Sequence, residues 1–310
     1  MKKIFMYALV GVLGLTSLTS CKDDDKGPAP TAIEASSFTT ESSPGAVKIS
    51  WTNPANANHK YVRVTFIHPE TKKQIVRLAS IHADYILIDG LLGRYGEIAF
   101  TLTPVSKTGV EGKSHTVSAA AQPLPKTIKV NLQSEKAQTF VADGEGKSVW
   151  VSTLQVGEGS LAELFDGNPN TYYHGQWYNG GNGPMPHYIV LKLEQPTRAF
   201  KIFMKARHNK AADAPKTFNF LVSNTFSEEN VKNPSQHNAV KVAEYASGPA
   251  NTNGSEWNSP VVQLDEPFVY VWIEIHTLHS GKNWPTLAEL RAWTYKLNSF
   301  DPETGETVEI

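Results

Sequence analysis

Residues 186–196 read PHYIVLKLEQP, and residues 270–276 read YVWIEIH. In the first stretch Ile189, Leu191 and Leu193 fall on alternate positions. In the second, Val271, Ile273 and Ile275 do so, with Tyr270, Trp272, Glu274 and His276 opposite them. Successive strand residues point to opposite faces of a sheet, so an apolar residue at every second position predicts a half-buried strand. The same period returns in Phe200, Ile202 and Met204, and in Phe218, Phe220 and Val222. Polar stretches rich in Gly, Asn and Pro lie between these runs, notably Gly175 to Pro186 and Ser247 to Pro260. A strand scaffold with long polar loops at its ends commonly holds a binding surface. The second half of the chain is therefore predicted to be a β domain whose function lies in its loops.

Closer to the N-terminus, from Thr31 to Leu124, the strands are shorter. Val47, Ile49 and Trp51 alternate with Lys48 and Ser50, Val62, Val64 and Phe66 repeat the pattern, and Ile98, Phe100 and Leu102 repeat it again. Asn53-Pro54, His68-Pro69, Asp89-Gly90 and Thr108-Gly109 punctuate the runs as turns. Short strands with regular turn signals and no helical period predict a second, smaller sandwich at residues 31–124. The order VKISWTNP, YILIDGL and FTLTPVSKTGVEG resembles a fibronectin type III-like module. Gln122-Pro123-Leu124-Pro125 is the best linker candidate, and residues 125–148 are read as a linker or bridging strands.

The first 20 residues have the form of a signal peptide. Lys2 and Lys3 precede an apolar run from Ile4 to Leu15, which is shorter than the roughly 20 residues that span a bilayer. Leu18-Thr19-Ser20-Cys21 resembles a bacterial lipobox, and Cys21 is the single cysteine in the chain. A lone cysteine serves no disulfide framework, so its role needs no partner, and the lipobox resemblance implies that it carries lipid. Residues 21–30 continue as Lys22-Asp23-Asp24-Asp25-Lys26-Gly27-Pro28-Ala29-Pro30, a charged stretch that reads as a flexible stem. An acidic run after a lipidated cysteine also resembles the export signal of Bacteroides-like surface lipoproteins. That resemblance implies an outer-membrane protein anchored by lipid and facing the cell exterior.

The 29 basic and 30 acidic residues of the 310-residue chain nearly cancel. No basic stripe is present to hold a phosphate backbone, which argues against a nucleic-acid partner. The sequence has no nucleophile elbow, Walker loop or dinucleotide fingerprint, and no feature pairs two carboxylates for glycoside hydrolysis. His276 and His279 lie three residues apart, yet nothing completes a zinc set. No enzyme activity and no organic cofactor are expected.

The segment with most chemistry is LAELFDGNPNTYYHGQW, residues 161–177. Asp166, Asn168 and Thr171 place three oxygen-bearing side chains in one Gly/Pro turn, which suits a hard cation such as calcium. Asp-Gly and Asn-Pro also form Asx turns with no metal, and spacing leaves both readings open. Just past the turn, Tyr173 and Trp177 could stack on the apolar face of a sugar while His174 bonds to a hydroxyl. Arg207, His208 and Asn209 form a second polar group, with donors and acceptors suited to vicinal hydroxyls or an acidic sugar. Tyr173 or Trp177 could equally plug the end of a sandwich.

AELFDGNPNTYYHGQW, followed in order by PHYIVLKLEQP, KARHN, FNFLVSN and TLAELRAW, resembles the discoidin or coagulation factor 5/8 type C family, also described as galactose-binding-like or as a carbohydrate-binding module. The resemblance covers residues 149–297 and leaves 298–310 as a C-terminal tail. It implies a jelly-roll β-sandwich that follows the fibronectin type III-like one, so the whole chain is expected to be all-β. It also implies a structural calcium held by Asp166, Asn168 and Thr171 with Glu289 of the last strand. The family's ligand loops fall on the regions of Tyr173, His174, Trp177, Arg207, His208 and Asn209. The expected function is noncatalytic capture of an extracellular oligo- or polysaccharide by a surface lipoprotein. Protein adhesion is the alternative, and a part in a glycan-degrading system, with outer-membrane glycan-uptake proteins as partners, is a further one.

Overall fold

The computed structural model describes residues 27–178 and 183–310, so the leader and Cys21 lie outside the described residues. The chain divides into two compact units after Pro125. Both are built of β-strands, and every pair of named strands is antiparallel. Among the described residues, no helix is long and apolar enough to cross a membrane.

The first unit holds β1 (Thr39–Ser43), β2 (Ala46–Ser50), β3 (Tyr61–Ile67), β4 (Gln74–Ser80), β5 (Tyr85–Asp89), β6 (Ile98–Val105) and β7 (His115–Ala119). They form two open sheets, ordered β1-β2-β5 and β4-β3-β6-β7. The alternating residues read from the sequence are its core: Val47, Ile49, Val62, Val64, Phe100 and Leu102 are at most 1% exposed. Trp51 joins them, and its Nε1 donates to Asn53 Oδ1 at 3.0 Å. The Asn53 amide in turn donates to the Ile81 and Ala83 carbonyls, so the Asn-Pro turn closes the unit's end.

The second unit begins with β8 (Thr127–Val130) and β9 (Lys136–Ala137), then β10 (Val149–Val151) and β11 (Tyr173–His174). Its main strands are β12 (His187–Lys205), β13 (Pro215–Ser223), β14 (Val240–Tyr245), β15 (Glu256–Asn258), β16 (Val262–Leu278), β17 (Thr286–Leu287) and β18 (Glu289–Tyr295). The chain ends in a hairpin of β19 (Leu297–Asp301) and β20 (Glu306–Glu309). Residues 125–148 thus supply β8, which pairs with β19, and β9, which pairs with β18, while residues 298–310 are mostly strand.

Strand β12 sets the architecture. Its first half, His187 to Lys192, pairs with Tyr270–Ile275 of β16, and its second half, Ala199 to Lys205, pairs with β18. The ladder slips between Lys192 and Ala199, around Gln195-Pro196, and β16 carries Glu266-Pro267 at the matching place. Proline has no N–H to give a ladder, so these two positions interrupt the pairing where the strands slip and bend. The alternating sets Ile189/Leu191/Leu193, Phe200/Ile202/Met204, Phe218/Phe220/Val222 and Val271/Ile273/Ile275 all meet in one core cluster.

The opposite face of β16 departs from the simple alternation. Trp272 is fully buried, in a second cluster with Tyr188, Val190 and Leu221, partly covered by Trp150, Phe226, Val231 and Ala239. The Trp272 indole donates to Ser223 Oγ at 2.9 Å, and the His237 ring packs 5.2 Å from it. Residues 224–239 therefore cover a face that strand periodicity alone would leave to solvent.

Candidate functional site

The loop that leads to the candidate site is organised before any ligand is considered. Ser160 N donates to Glu163 Oε2 at 2.9 Å and Glu163 N to Ser160 Oγ at 3.2 Å, a reciprocal cap on the short turn Ala162–Leu164. That turn drives Leu164 into the core. Gly167 follows at φ 77°. Asp166 Oδ1 accepts from Asn168 N at 2.7 Å, and Asn168 Oδ1 accepts from Asn170 N at 3.2 Å. The Thr171 hydroxyl lies 3.0 and 2.8 Å from the Asp166 oxygens and 2.7 Å from the Asn168 carbonyl. Asp166, Asn168 and Thr171 are thus brought together as two linked Asx turns.

Glu289 lies beside this turn. It starts β18, is 1% exposed, and neither carboxylate oxygen has a hydrogen-bond partner. Burial pushes its pKa above the ordinary carboxylate range. The Arg291 guanidinium, 3.7 Å away, opposes that shift, the Asp166 carboxylate adds to it, and the Gly167 N–H opposes it. A buried carboxylate without partners is costly unless protonated or paired with a cation. The donor set is all oxygen, as calcium prefers. Among the described residues no group of three or more His, Cys, Asp and Glu is placed to hold a metal, so any cation here would rely on hydroxyl, amide and backbone oxygens as well.

Around the next bend, residues 153–158 and 172–178 are laced together. Gln155 N donates to the His174 carbonyl at 2.8 Å, and Gln155 Oε1 accepts from the backbone N–H groups of Trp177 and Tyr178 at 3.2 Å each. Gly159, at φ 75°, lets the chains close up. A Cβ there would sit 2.2 Å from the Tyr172 carbonyl oxygen.

The centre of this arrangement is Glu158, which sequence reasoning missed. Its Oε2 accepts from Trp177 Nε1 at 2.6 Å; its Oε1 lies 3.7 Å from Arg207 Nη1 and 4.0 Å from His174 Nε2. The Arg207 guanidinium is stacked on the Tyr172 ring, 3.1 Å from its centroid. His174 Nδ1 is 2.6 Å from the Gly175 carbonyl. A carbonyl only accepts, so Nδ1 carries a proton and Nε2 is left facing Glu158.

The six proposed ligand contacts are not equally placed. Trp177 is 45% exposed and meets Tyr178, itself 60% exposed, edge to face at 5.8 Å. Arg207 is mostly enclosed, whereas His208 and Asn209 stand exposed just beyond it, Asn209 at φ 64°. His174 is only 4% exposed. Tyr173 is not brought to this surface at all: it is 1% exposed, packs in the core, and its hydroxyl donates to the Thr153 carbonyl at 2.7 Å. Burial raises its pKa. Tyr172, the residue before β11, is only half-buried and carries Arg207 on its ring, so it takes the outer position assigned from the sequence to Tyr173. The one sequence cue to Glu158 is its place in Val156-Gly157-Glu158-Gly159, an acid held between two glycines. His276 belongs elsewhere, bonded to Glu274 and Asn219 on the sheet's outer face, and His279 bonds to the Pro249 carbonyl.

No family model matches the chain, and no curated protein matches it. Among solved structures, the chain is similar to a SusE-like protein at 15% identity, covering 84% of this chain and 97% of that one, with a TM-score of 0.36. It is also similar to a carbohydrate-binding domain from Clostridium perfringens in complex with GalNAc-β-1,3-galactose, at 20% identity over 46% of this chain and 92% of that one, TM-score 0.36. A family 32 module of NanJ from C. perfringens, in complex with galactose, is 18% identical over 47% and 92% of the two chains, TM-score 0.34.

Proposed function

We propose that the second unit is a noncatalytic module that binds extracellular glycan at the loops carrying Trp177, Tyr172, Glu158, His174 and Arg207. The observation that carries this reading is the Glu158 carboxylate holding the Trp177 indole at 2.6 Å while the residue stays 45% exposed. An exposed aromatic ring fixed in orientation offers a stacking face at little entropic cost. Beside it, Glu158 accepts from sugar hydroxyls, His208 and Asn209 add exposed polar groups, and the Arg207 fork is prealigned by Tyr172. The arrangement binds and orients without cleaving a bond. Glycan-array screening and calorimetry on residues 31–310 test it: binding with no product formation supports the reading. Silence across plant, host and microbial glycans would remove the sugar, and product formation would remove the noncatalytic role.

Calcium belongs to the same proposal. Asp166, Asn168 and Thr171 would hold the ion with Glu289, a buried carboxylate whose counter-charge is the Arg291 guanidinium at 3.7 Å. Bound there, it would supply structural charge compensation. The chain's own part is to fix the turn that leads into Tyr172 and His174. The first unit, in this reading, is a fibronectin type III-like spacer. Cys21 carries the lipid that places both units on the outer face of an outer membrane, beside glycan-uptake proteins. Labelling cells with a fatty-acid analogue checks the anchor: incorporation should vanish in Cys21→Ala.

A protein partner is favoured by one observation. Val156 is 85% exposed and lies in the loop that hydrogen-bonds to exposed Trp177 and Tyr178. Loss of a protein contact on Val156→Asp, with glycan binding unchanged, would assign that patch to adhesion.

A further inference from the structure

The bend in β12 holds a charged group that the loop site does not use. Arg198 is partly buried at the slip in the strand, and its Nε is buried with no hydrogen-bond partner. Arg63, Arg77, Arg94, Arg207 and Arg291 each have an ion pair or a hydrogen bond. Among the described residues, Arg198 has no hydrogen bond, ion pair or ring contact. A guanidinium carries five donors and no acceptor, and a buried donor left unpaired is disfavoured.

Arg198 lines a cavity of about 360 Å³ with Pro196, Thr197, Pro267, Lys296 and Glu309. That volume lies within the roughly 300–1,000 Å³ range of small-ligand clefts. The Lys296 ammonium is paired with Glu309, whose other oxygen accepts from Asn131 at 3.2 Å, whereas Arg198 has no such pair. The two proline rings offer flat C–H walls, and the Thr197 and Glu309 oxygens can accept from hydroxyls. Arg198 and Arg207 lie nine positions apart along mostly extended strand, up to roughly 30 Å at about 3.3 Å per residue. The cavity is therefore distinct from the loop site.

We infer that this cavity binds an acidic monosaccharide unit, with Arg198 taking the carboxylate, the prolines facing the ring and Glu309 accepting from its hydroxyls. The site stands independently of the loop reading.

Calorimetry on the full chain with sodium glucuronate tests it, with glucose and sodium sulfate as neutral and simple-anion competitors. Glucuronate is expected to bind with a stoichiometry of one at this cavity, with neither competitor displacing it. Arg198→Gln should weaken it at least tenfold, and Trp177→Ala should leave it unchanged. No glucuronate binding, equal binding to Arg198→Gln, displacement by sulfate, or loss in Trp177→Ala would each overturn the assignment. If Arg198→Gln fails to fold, phenylglyoxal modification of the wild-type chain decides. Glucuronate should slow modification of Arg198, mapped by peptide mass, several-fold relative to glucose, and equal rates would overturn the site.

Discussion

Trp177 Nε1 donates to Glu158 Oε2 at 2.6 Å, joining residues 19 positions apart that lie on either side of β11 in the chain. The bond satisfies the indole's single donor and leaves its ring free for contact. Trp177→Ala should therefore lower glycan affinity by tenfold or more, as truncation of an anchoring aromatic does at about 2 kcal/mol. Its thermal midpoint should barely move, because exposed substitutions usually stay within about 0.5 kcal/mol. Calorimetry paired with a thermal melt separates the two effects. Glu158→Gln should weaken binding too, since the amide keeps the bond's shape but loses the charge facing Arg207 and His174.

Glu289 gives a calcium prediction with a definite sign. Its pKa in the folded protein is raised above the ordinary 4.5 by burial. Between that value and the raised one the native state binds more protons than the unfolded state, so stability contributed by Glu289 falls as pH rises. In chelated protein, Glu289→Gln should match wild type below pH 4.5 and become the more stable of the two as pH rises through the folded value. Calcium should reverse the order by stabilising wild type alone, by about 2.7 kcal/mol at a hundredfold excess over Kd. Denaturation curves with and without chelator decide it. An unchanged wild-type midpoint would reject the ion.

Tyr173 should behave as a core residue. Tyr173→Phe removes the 2.7 Å bond to the Thr153 carbonyl and leaves a buried acceptor unpaired, a cost of about 1–3 kcal/mol. Glycan affinity measured well below the melting midpoint should match wild type. A selective loss of affinity would return Tyr173 to the binding face.

Gly159→Ala should damage both stability and binding. The added methyl would lie 2.2 Å from the Tyr172 carbonyl oxygen at a backbone φ of 75°, so the loop must move and carry Glu158 with it. A destabilisation above about 1 kcal/mol is expected at such a position, together with weaker binding of the same glycan.

The core was legible because it obeys a local rule. Ile189, Phe200, Phe220 and Ile273 each announce themselves by their neighbours two residues away. Trp272 did not, because the cover over it comes from Phe226, Val231 and Ala239, in a segment with no strand period. The Asp166 turn was legible as a compact string, whereas the burial of Glu289 beside it is a property of three dimensions. Adjacent Tyr172 and Tyr173 show the limit most clearly: a run of two rings does not say which of them packs into the core. Glu158 meets its partners through tertiary contacts, so only its glycine neighbours hinted at it.

The position of β8 has a mechanical consequence. Thr127 pairs with Phe300 and Val130 with Leu297, so the chain reaches the second unit along the axis of a strand already bonded to β19. A pull on Lys126 away from the unit would load those ladder bonds side by side in shear. They would then have to fail together rather than open in turn from one end. Under tension along its axis, β8 would hold as a clasp rather than part as a zipper.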